Sequence, residues 1–147
     1  MTRIIIEVDG DSVNVLTETI EAEVKVKKEK TDVEPVSQYA KWFDRVCTGW
    51  EEDAEWNLMY LKNQEYYMNM LLKTKGHLFL NDVYRALGMT LTKAGQFVGW
   101  IYDEENPIGD NFVDFGLMEE RNRDFINGRT NTVLLDFNVD GEIISRL

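Results

Sequence analysis

Residues 53–76 read DAEWNLMYLKNQEYYMNMLLKTKG, with no proline and no glycine before Gly76. Mostly apolar residues recur every three or four positions, which is typical of a helix with one broad apolar stripe. The stripe consists of Trp56, Met59, Tyr60, Asn63, Tyr67, Met70 and Leu71. Lys73 and Lys75 suit the negative end of a helix, and Gly76 favours its termination. The sequence therefore predicts one long helix over residues 53–75.

The segment before this helix predicts a second, shorter one. Ser37 is a suitable N-cap, and apolar residues follow it at helical spacing. These residues are Tyr39, Trp42, Phe43, Val46 and Cys47. Gly49 then separates the two expected helices.

The N-terminal residues predict a small β-element. Two β-branched segments, residues 3–8 and 12–16, flank the tight-turn signal Asp9-Gly10. Apolar and charged residues then alternate over residues 20–26, which indicates a third strand with one wet face.

Residues 27–34, KKEKTDVE, are polar and precede a proline, which indicates a linker. We therefore expect two parts, a β-element with its linker at residues 1–34 and an α+β body at residues 35–147.

The residues after the long helix predict short alternating elements. A helix is expected at 82–87, with Asn81 as N-cap and Gly88 as its end, and another at 121–126. Extended segments are expected at 77–80, 97–102 and 111–115, and a closing hairpin at 132–139 and 142–144 about Asp140-Gly141. The predicted class is α+β, with a small N-terminal β-element, central helices including one long helix, and C-terminal antiparallel β-hairpins.

Composition excludes several functions. A net charge of −11 argues against non-specific nucleic-acid binding, which depends on Lys and Arg. No stretch approaches the roughly 20 apolar residues that span a membrane, and the opening MTRIIIEVDG does not resemble a secretory signal. A single cysteine, Cys47, forms neither an intramolecular disulfide nor a Cys-based zinc site. We expect a cytoplasmic protein with no cofactor.

The acidic stretch 102–116, YDEENPIGDNFVDFG, is the strongest candidate site. An EF-hand loop counted from Asp103 would need an oxygen ligand where Pro107 stands and glycine where Ile108 stands, so the match fails. Turn chemistry instead favours a β-hairpin with an acidic tip. A weak cation site at Asp103, Glu105 and Asp110 is left open.

Other candidates have simpler structural interpretations. His77 follows a helix end and is expected to bond the last carbonyls rather than act as a base. Cys47 is expected to be a small buried side chain rather than a nucleophile. The dispersed glycines form no phosphate-binding motif, and the tryptophans lack the basic groove of a single-strand binder. Asp114, Glu119, Glu120 and Asp124 form only a weak signal for a metal-dependent hydrolase.

Several motifs occur in a characteristic order. They are Gly76, Leu80-Asn81-Asp82-Val83-Tyr84, Leu87-Gly88, Gly95, Gly99-Trp100, Val113-Asp114-Phe115 and the tail RNRDFINGRTNTVLLDFNVDGEI at 121–143. In these motifs the chain resembles an uncharacterised family, a domain of unknown function found in phage and prophage genomes. The resemblance covers roughly residues 37–145 and leaves the N-terminal β-element outside. It implies a mobile-element origin and supplies no established activity or catalytic residues to carry over.

Three hypotheses follow. The first is a non-enzymatic protein-interaction module that inhibits a basic, nucleic-acid-binding host defence protein of the kind targeted by anti-CRISPR or anti-restriction proteins. Its expected partner-binding residues are Asp103, Glu104, Glu105, Asp110, Glu119, Glu120 and Asp124. The second is a phage assembly protein that forms homo-oligomers through residues 1–34. The third is a metal-dependent hydrolase built on the carboxylates.

Overall fold

The computed structural model describes residues Ile5–Val8, Asn14–Thr17 and 36–147. These residues belong to two units, which lie within Met1–Pro35 and Val36–Leu147. The protein combines helices with antiparallel sheets, so the predicted mixed α+β class is confirmed.

Two antiparallel strands form the described part of the first unit. β1 (Ile5–Val8) pairs with β2 (Asn14–Thr17), which confirms the predicted pair of strands. The strand predicted at 20–26 and the linker predicted at 27–34 lie outside the described residues.

The long helix α1 (Ala54–Lys75) has the ends that its sequence predicts. Asp53 is the N-cap, and its Oδ1 accepts the backbone N–H groups of Glu55 at 3.0 Å and Trp56 at 3.2 Å. Gly76 has a φ of 85° and donates its N–H to the carbonyl of Leu72 at 2.8 Å. A residue without a Cβ suits this left-handed conformation, so the helix ends there.

The apolar stripe of the sequence is not the buried side of α1. The buried residues are Ala54, Asn57, Leu61, Met68 and Leu72, whereas most of the predicted stripe faces outward. Trp56 is 48% exposed and Met59 is 59% exposed. Asn57 is buried because its amide accepts the Glu51 N–H at 2.9 Å and donates to the carbonyls of Glu51 and Asn131. Because α1 is apolar on two sides, the periodicity of the sequence does not identify which side is buried.

The helix predicted after Ser37 is also wrong. Residues Lys41–Phe43 form β3, which pairs antiparallel with β6 (Val133–Leu135). Ser37 caps no helix, and its hydroxyl donates to Asp136 Oδ1 at 2.6 Å. The pairing partner lies about ninety residues downstream in the chain, so no local pattern reveals it.

A three-stranded sheet occupies the middle of the second unit. Its central strand β5 (Val98–Ile101) lies between β4 (His77–Phe79) and β7 (Gly141–Glu142). The predicted extended segments at 77–80 and 97–102 are therefore confirmed. The closing hairpin is wrong, because β6 pairs with β3 and β7 pairs with β5.

The helix after β4, α2 (Leu80–Ala86), begins two residues before its predicted start. Asp82 Oδ2 accepts the N–H of Phe79 at 3.1 Å. The N-cap residue is therefore Phe79 and not the predicted Asn81. The Asn81 amide instead makes two hydrogen bonds to the backbone of Thr92. Further along, α3 (Arg123–Ile126) follows a 3-10 turn and confirms the predicted short helix.

The core of the second unit is rich in aromatic side chains. Its largest fully buried members are Trp100, Tyr84, Phe43, Phe115 and Phe125. The Tyr84 hydroxyl donates to the carbonyl of Tyr39 at 2.7 Å, and burial raises its pKa to about 12. Cys47 is 4% exposed, as predicted for a small buried side chain. Within the described residues, none of the helices combines the length and apolar character that a membrane crossing requires.

Candidate functional site

The acidic loop, residues 103–110, leaves β5 and is exposed along its whole length. Asn111 closes it by two hydrogen bonds to one residue. The Asp103 N–H donates to Asn111 Oδ1 at 3.0 Å, and Asn111 Nδ2 donates to the Asp103 carbonyl at 3.1 Å. Asn111 has a φ of 64°, a conformation that asparagine tolerates better than most residues. The loop is therefore a closed turn and not the predicted hairpin tip, since residues 111–115 form no strand.

Side chains within the loop hold its first turn. Asp103 Oδ1 accepts the N–H groups of Glu105 at 3.1 Å and Asn106 at 3.0 Å. The Tyr102 hydroxyl donates to Glu104 Oε2 at 2.6 Å, a bond that raises the pKa of Tyr102. Two of the loop carboxylates are thus fixed in position while they stay exposed to solvent.

Asn138 ties the other end of the loop to the core. Its Oδ1 accepts the indole N–H of Trp100 at 2.9 Å and the backbone N–H of Asp114 at 2.7 Å. Its Nδ2 donates to Asp110 Oδ2 at 3.0 Å and to the carbonyl of Phe112 at 2.9 Å. The amide uses both donors and both acceptor positions, so it is fully satisfied.

Asp140 forms a second contact beneath the loop. Its Oδ2 accepts the N–H of Ile101 at 2.9 Å, and a Cβ added to Gly109 would lie 2.1 Å from its Oδ1. Burial raises the pKa of Asp140, and the nearby Asp110 raises it further. The loop backbone therefore approaches Asp140 so closely that a side chain at position 109 would require the Asp140 carboxylate to move.

The chain beyond the loop is fastened to α1. Asn69 Oδ1 accepts the N–H of Val113 at 2.8 Å, and its Nδ2 donates to the Val113 carbonyl at 3.0 Å. Glu65 Oε2 accepts the N–H of Phe115 at 2.8 Å. Burial raises the pKa of Glu65. Side chains thus replace the strand partner that was predicted for residues 111–115.

Glu65→Gln tests the cost of placing a charge at this anchor. Because the folded-state pKa of Glu65 is raised, the folded protein binds its proton more tightly than the unfolded chain does. Stability therefore falls as the pH rises from about 4 through the folded-state pKa. Glutamine keeps an acceptor for Phe115 and carries no charge. We expect the variant to melt at or above the wild-type temperature near pH 7, with a weaker pH dependence, in thermal melts at about pH 4.5 and about pH 7.

Glu65→Ala is the matched control. It leaves the buried Phe115 N–H without its acceptor, which costs about 1–3 kcal/mol. If glutamine destabilised the protein as much as alanine, the charge itself would be needed at this position.

The structure separates the predicted partner-binding residues into two groups. Among the described residues, no ion pair involves Asp103, Glu104, Glu105 or Asp110. Glu119, Glu120 and Asp124 are exposed near α3, where two of the three carboxylates pair locally, Glu120 with Arg123 and Asp124 with Arg129. No hydrogen bond or ion pair joins the two groups in the described part of the chain. Within the described residues, all four carboxylates of the loop group lack an ion-pair partner, whereas in the second group only Glu119 does.

The described carboxylates are not arranged as the ligands of a metal ion. In the part of the chain that the structure describes, no three His, Cys, Asp or Glu side chains are placed to hold a metal ion. Asp103 and Asp110 already accept hydrogen bonds from within the protein. Asp114, a member of the second candidate cluster, accepts the N–H of Gly116 at 2.8 Å. The weak cation site at Asp103, Glu105 and Asp110 therefore gains no support from the geometry.

Two single residues were also candidates for chemistry. His77 lies in β4 with its ring edge-on to Phe79, and in the described residues its side chain makes no hydrogen bond to the end of α1. Burial raises the pKa of Cys47, which disfavours the thiolate that a nucleophile needs.

Sequence reasoning missed three polar side chains that hold other segments in place, two of them at the acidic loop. Asp136, Asn138 and Asp140 alternate with apolar residues, and each side chain accepts a backbone N–H from another segment. The alternation was visible as one polar side of the expected strand at 132–139. The alternation did not reveal which segments these side chains bind, because those segments are distant in the sequence.

Comparison with known proteins identifies a family. A model of a protein family of unknown function matches residues 6–147. The match includes the N-terminal strands, which the motif resemblance left outside. No curated protein and no solved structure matches the chain.

Proposed function

Because the chain belongs to the Family of unknown function (DUF6353), we propose its function from its own surface. The protein is a non-enzymatic interaction module that binds a basic protein surface through the acidic loop. The observation that carries this proposal is the set of four loop carboxylates, which are exposed and, among the described residues, not paired with any cation.

The rigidity of the loop favours binding. Asn111 closes it, Asp103 holds its first turn, and Asn138 fixes Asp110 against the core. A loop that is already ordered loses less conformational entropy when it binds. Its carboxylates therefore form a fixed pattern that a basic surface can complement.

Long-range charge supports the same proposal. The chain carries a net charge of −11. A field of this sign accelerates encounter with positively charged partners and repels nucleic acid. Grooves that hold phosphates are lined by Lys and Arg. Ordered carboxylates can therefore occupy such a groove in place of the phosphates.

The resemblance to phage and prophage proteins narrows the partner. Within this proposal the partner is a nucleic-acid-binding defence protein in the host cytoplasm, and the protein acts as an anti-CRISPR or anti-restriction inhibitor. Occupying the phosphate groove would block the defence protein without any catalytic step.

The first test removes charge from the acidic loop and keeps its shape. The variant combines Asp103→Asn, Glu104→Gln, Glu105→Gln and Asp110→Asn, each of which retains an oxygen acceptor. The full-length protein is used to capture a partner from a bacterial lysate at low and at moderate salt. We expect the wild type to capture a basic nucleic-acid-binding protein and to retain it at low salt. We also expect the variant to associate with this partner at least about tenfold more slowly than the wild type does.

A competition assay decides between inhibition and mere attachment. The captured partner's DNA binding should fall when the wild-type protein is added and should be unaffected by the loop variant. A matched variant, Glu119→Gln with Glu120→Gln and Asp124→Asn, removes three charges elsewhere and is expected to have a smaller effect because two of those carboxylates pair with arginines. If the two variants weakened partner binding equally, or if binding did not change with salt concentration, the role of the loop would be contradicted.

A further inference from the structure

The outer face of α1 is unusually apolar. Its large side chains are Trp56, Met59, Tyr66, Tyr67 and Met70, with exposed fractions from 48% to 68%. The opposite side of the helix carries the buried residues, among them Leu61, Met68 and Leu72. A helix that is apolar on two sides normally has a packing partner on both. Among the described residues the outer face lacks one.

The spacing on this face is that of helix pairs. Trp56, Asn63 and Met70 are seven residues apart, as are Met59 and Tyr66. A seven-residue repeat keeps one side of a helix along a neighbouring helix. Asn63, the polar residue of the series, is exposed at its centre. A single polar residue in such a seam commonly sets the register of the pair.

The face is complementary to an inverted copy of itself. Residues at equal distances from Asn63 meet when two copies of α1 pack antiparallel about it. Trp56 then faces Met70 of the second copy, and Met59 faces Tyr67. Near the ends, Asp53 faces Lys73 of the second copy, and the two-fold symmetry repeats this pair of opposite charges at the other end. A parallel arrangement would instead place like charges together at each end.

Two surface depressions match this arrangement. One has a volume of about 350 Å³ and is lined by Tyr66, Asn69, Met70, Lys73 and Thr74. Their spacing is that of the hole that receives one side chain of a neighbouring helix, and the inverted register places Trp56 of the second copy there. The other depression, of about 470 Å³, is lined by Glu51, Glu52, Asp53 and Trp56, and the same register brings Lys73 of the second copy to it.

The available area is sufficient for a dimer. Five large side chains, each about half exposed, offer roughly 500 Å² per copy, or about 1,000 Å² for two copies. That value reaches the lower limit of about 1,000 Å² for a specific interface. Antiparallel packing also places the opposite ends of the two helix dipoles side by side.

We propose that the protein forms a symmetric homodimer through the outer face of α1, with the two helices antiparallel and centred on Asn63. The proposal uses residues outside the acidic loop and does not depend on the proposed function.

Single cysteines in the full-length protein test the geometry. An Asn63→Cys variant places the new thiol beside its own copy on the two-fold axis. Thr74→Cys lies on the same face but eleven residues away, so two copies are about 33 Å apart in the antiparallel dimer, far beyond the roughly 7 Å limit for a disulfide. We expect mild oxidation to cross-link Asn63→Cys and leave Thr74→Cys monomeric in denaturing gels. The wild type, whose Cys47 is buried, is the blank.

Charge reversal with rescue tests the ends. Glu52 and Lys73 are suitable because both are exposed and Glu52 lines the depression that Lys73 of the second copy reaches, whereas Asp53 also caps α1. Glu52→Lys alone and Lys73→Glu alone should each raise the dimer dissociation constant roughly tenfold, because two symmetric pairs become repulsive. The double variant should restore it. Sedimentation velocity over a concentration series provides the measurement.

The apolar contact has a matched control of the same residue type. Met59→Glu with Met70→Glu should make the protein monomeric, whereas Met118→Glu, at a methionine that is 65% exposed elsewhere, should leave the dimer intact. Circular dichroism confirms that each variant is folded. A wild type that stays monomeric at about 100 μM, as it would if residues 1–35 covered the face, overturns the proposal. Cross-linking of Thr74→Cys, or absence of rescue in the double charge variant, overturns the antiparallel register.

Discussion

Gly99→Ala is expected to destabilise the Val36–Leu147 unit by more than about 3 kcal/mol, at the upper end of the usual cost of overpacking. Gly99 lies in the central strand β5, directly opposite Phe79 of β4. A Cβ at this position would lie 2.0 Å from the carbonyl oxygen of Leu78 and 2.8 Å from Cα of Phe79. Both are backbone atoms of the neighbouring strand, so relief requires the two strands to move apart. Urea unfolding of the full-length protein, followed by tryptophan fluorescence, measures the loss.

Gly128→Ala is a control that measures the cost of backbone strain without a close contact such as that between Gly99 and β4. Gly128 has a φ of 79°, and a Cβ there would meet no atom within 4 Å. Its replacement should therefore cost only the strain of a left-handed alanine, about 1–2 kcal/mol. If the two substitutions cost the same, the close approach of β4 and β5 would not be what requires glycine at position 99.

Asn138→Ala is the second substitution with a large expected effect, about 1–3 kcal/mol. It removes the acceptor of the buried Trp100 indole N–H and of the Asp114 N–H, and the donor to the Phe112 carbonyl. The cost comes mainly from the buried indole that is left without an acceptor, because the Asp114 and Phe112 groups lie at the surface, where water can replace Asn138. It also frees Asp110, so the acidic loop should become more mobile. Thermal unfolding measures the stability, and faster amide hydrogen exchange over residues 103–114 reports the mobility.

Asn138→Asp is a nearly isosteric comparison. It keeps an acceptor for Trp100 and Asp114, loses the donor, and places a second carboxylate beside Asp110. We expect a smaller loss of stability than with alanine, and one that decreases as the pH falls and carboxylates become protonated. Unchanged hydrogen exchange in the alanine variant would show that Asn138 does not order the loop.

The alanine variant also bears on the proposed function. It leaves every charge of the acidic loop in place and removes only the fixed geometry. Weaker partner binding would therefore show that ordered carboxylates, rather than net charge alone, are recognised. Unchanged binding would indicate that the partner responds to charge in general.

Local chemistry was sufficient for several parts of the fold. The ends of α1 followed from Asp53 and Gly76, since a cap and a C-terminal glycine act within one turn of the helix. The two N-terminal strands followed from a tight-turn signal between β-branched segments, and the burial of Cys47 followed from its apolar surroundings. Composition made the acidic loop the strongest candidate site, which stays a prediction, and the predicted hairpin form of the loop was wrong.

Long-range contacts determine the structure of the two segments that local sequence patterns predicted wrongly. The segment after Ser37 has helical spacing, yet it is a strand because Val133–Leu135 supplies a pairing partner. Residues 111–115 look like a strand, yet Asn69, Glu65 and Asn138 satisfy their backbone groups from the side. In both cases the favourable hydrogen bonds come from residues far away in the chain, and they outweigh a weak local preference.

The sequence by itself determined the mixed α+β class, the extent of α1 and the acidic character of the surface, because helix caps, turn residues and charge act locally or simply add. Only the tertiary structure decided which side of α1 is buried, which strands pair and which carboxylates remain exposed without a cation among the described residues. A helix with two apolar sides has no local reason to bury one of them. The choice depends on whether a buried polar residue such as Asn57 finds hydrogen-bond partners there, and those partners include a carbonyl more than seventy residues away.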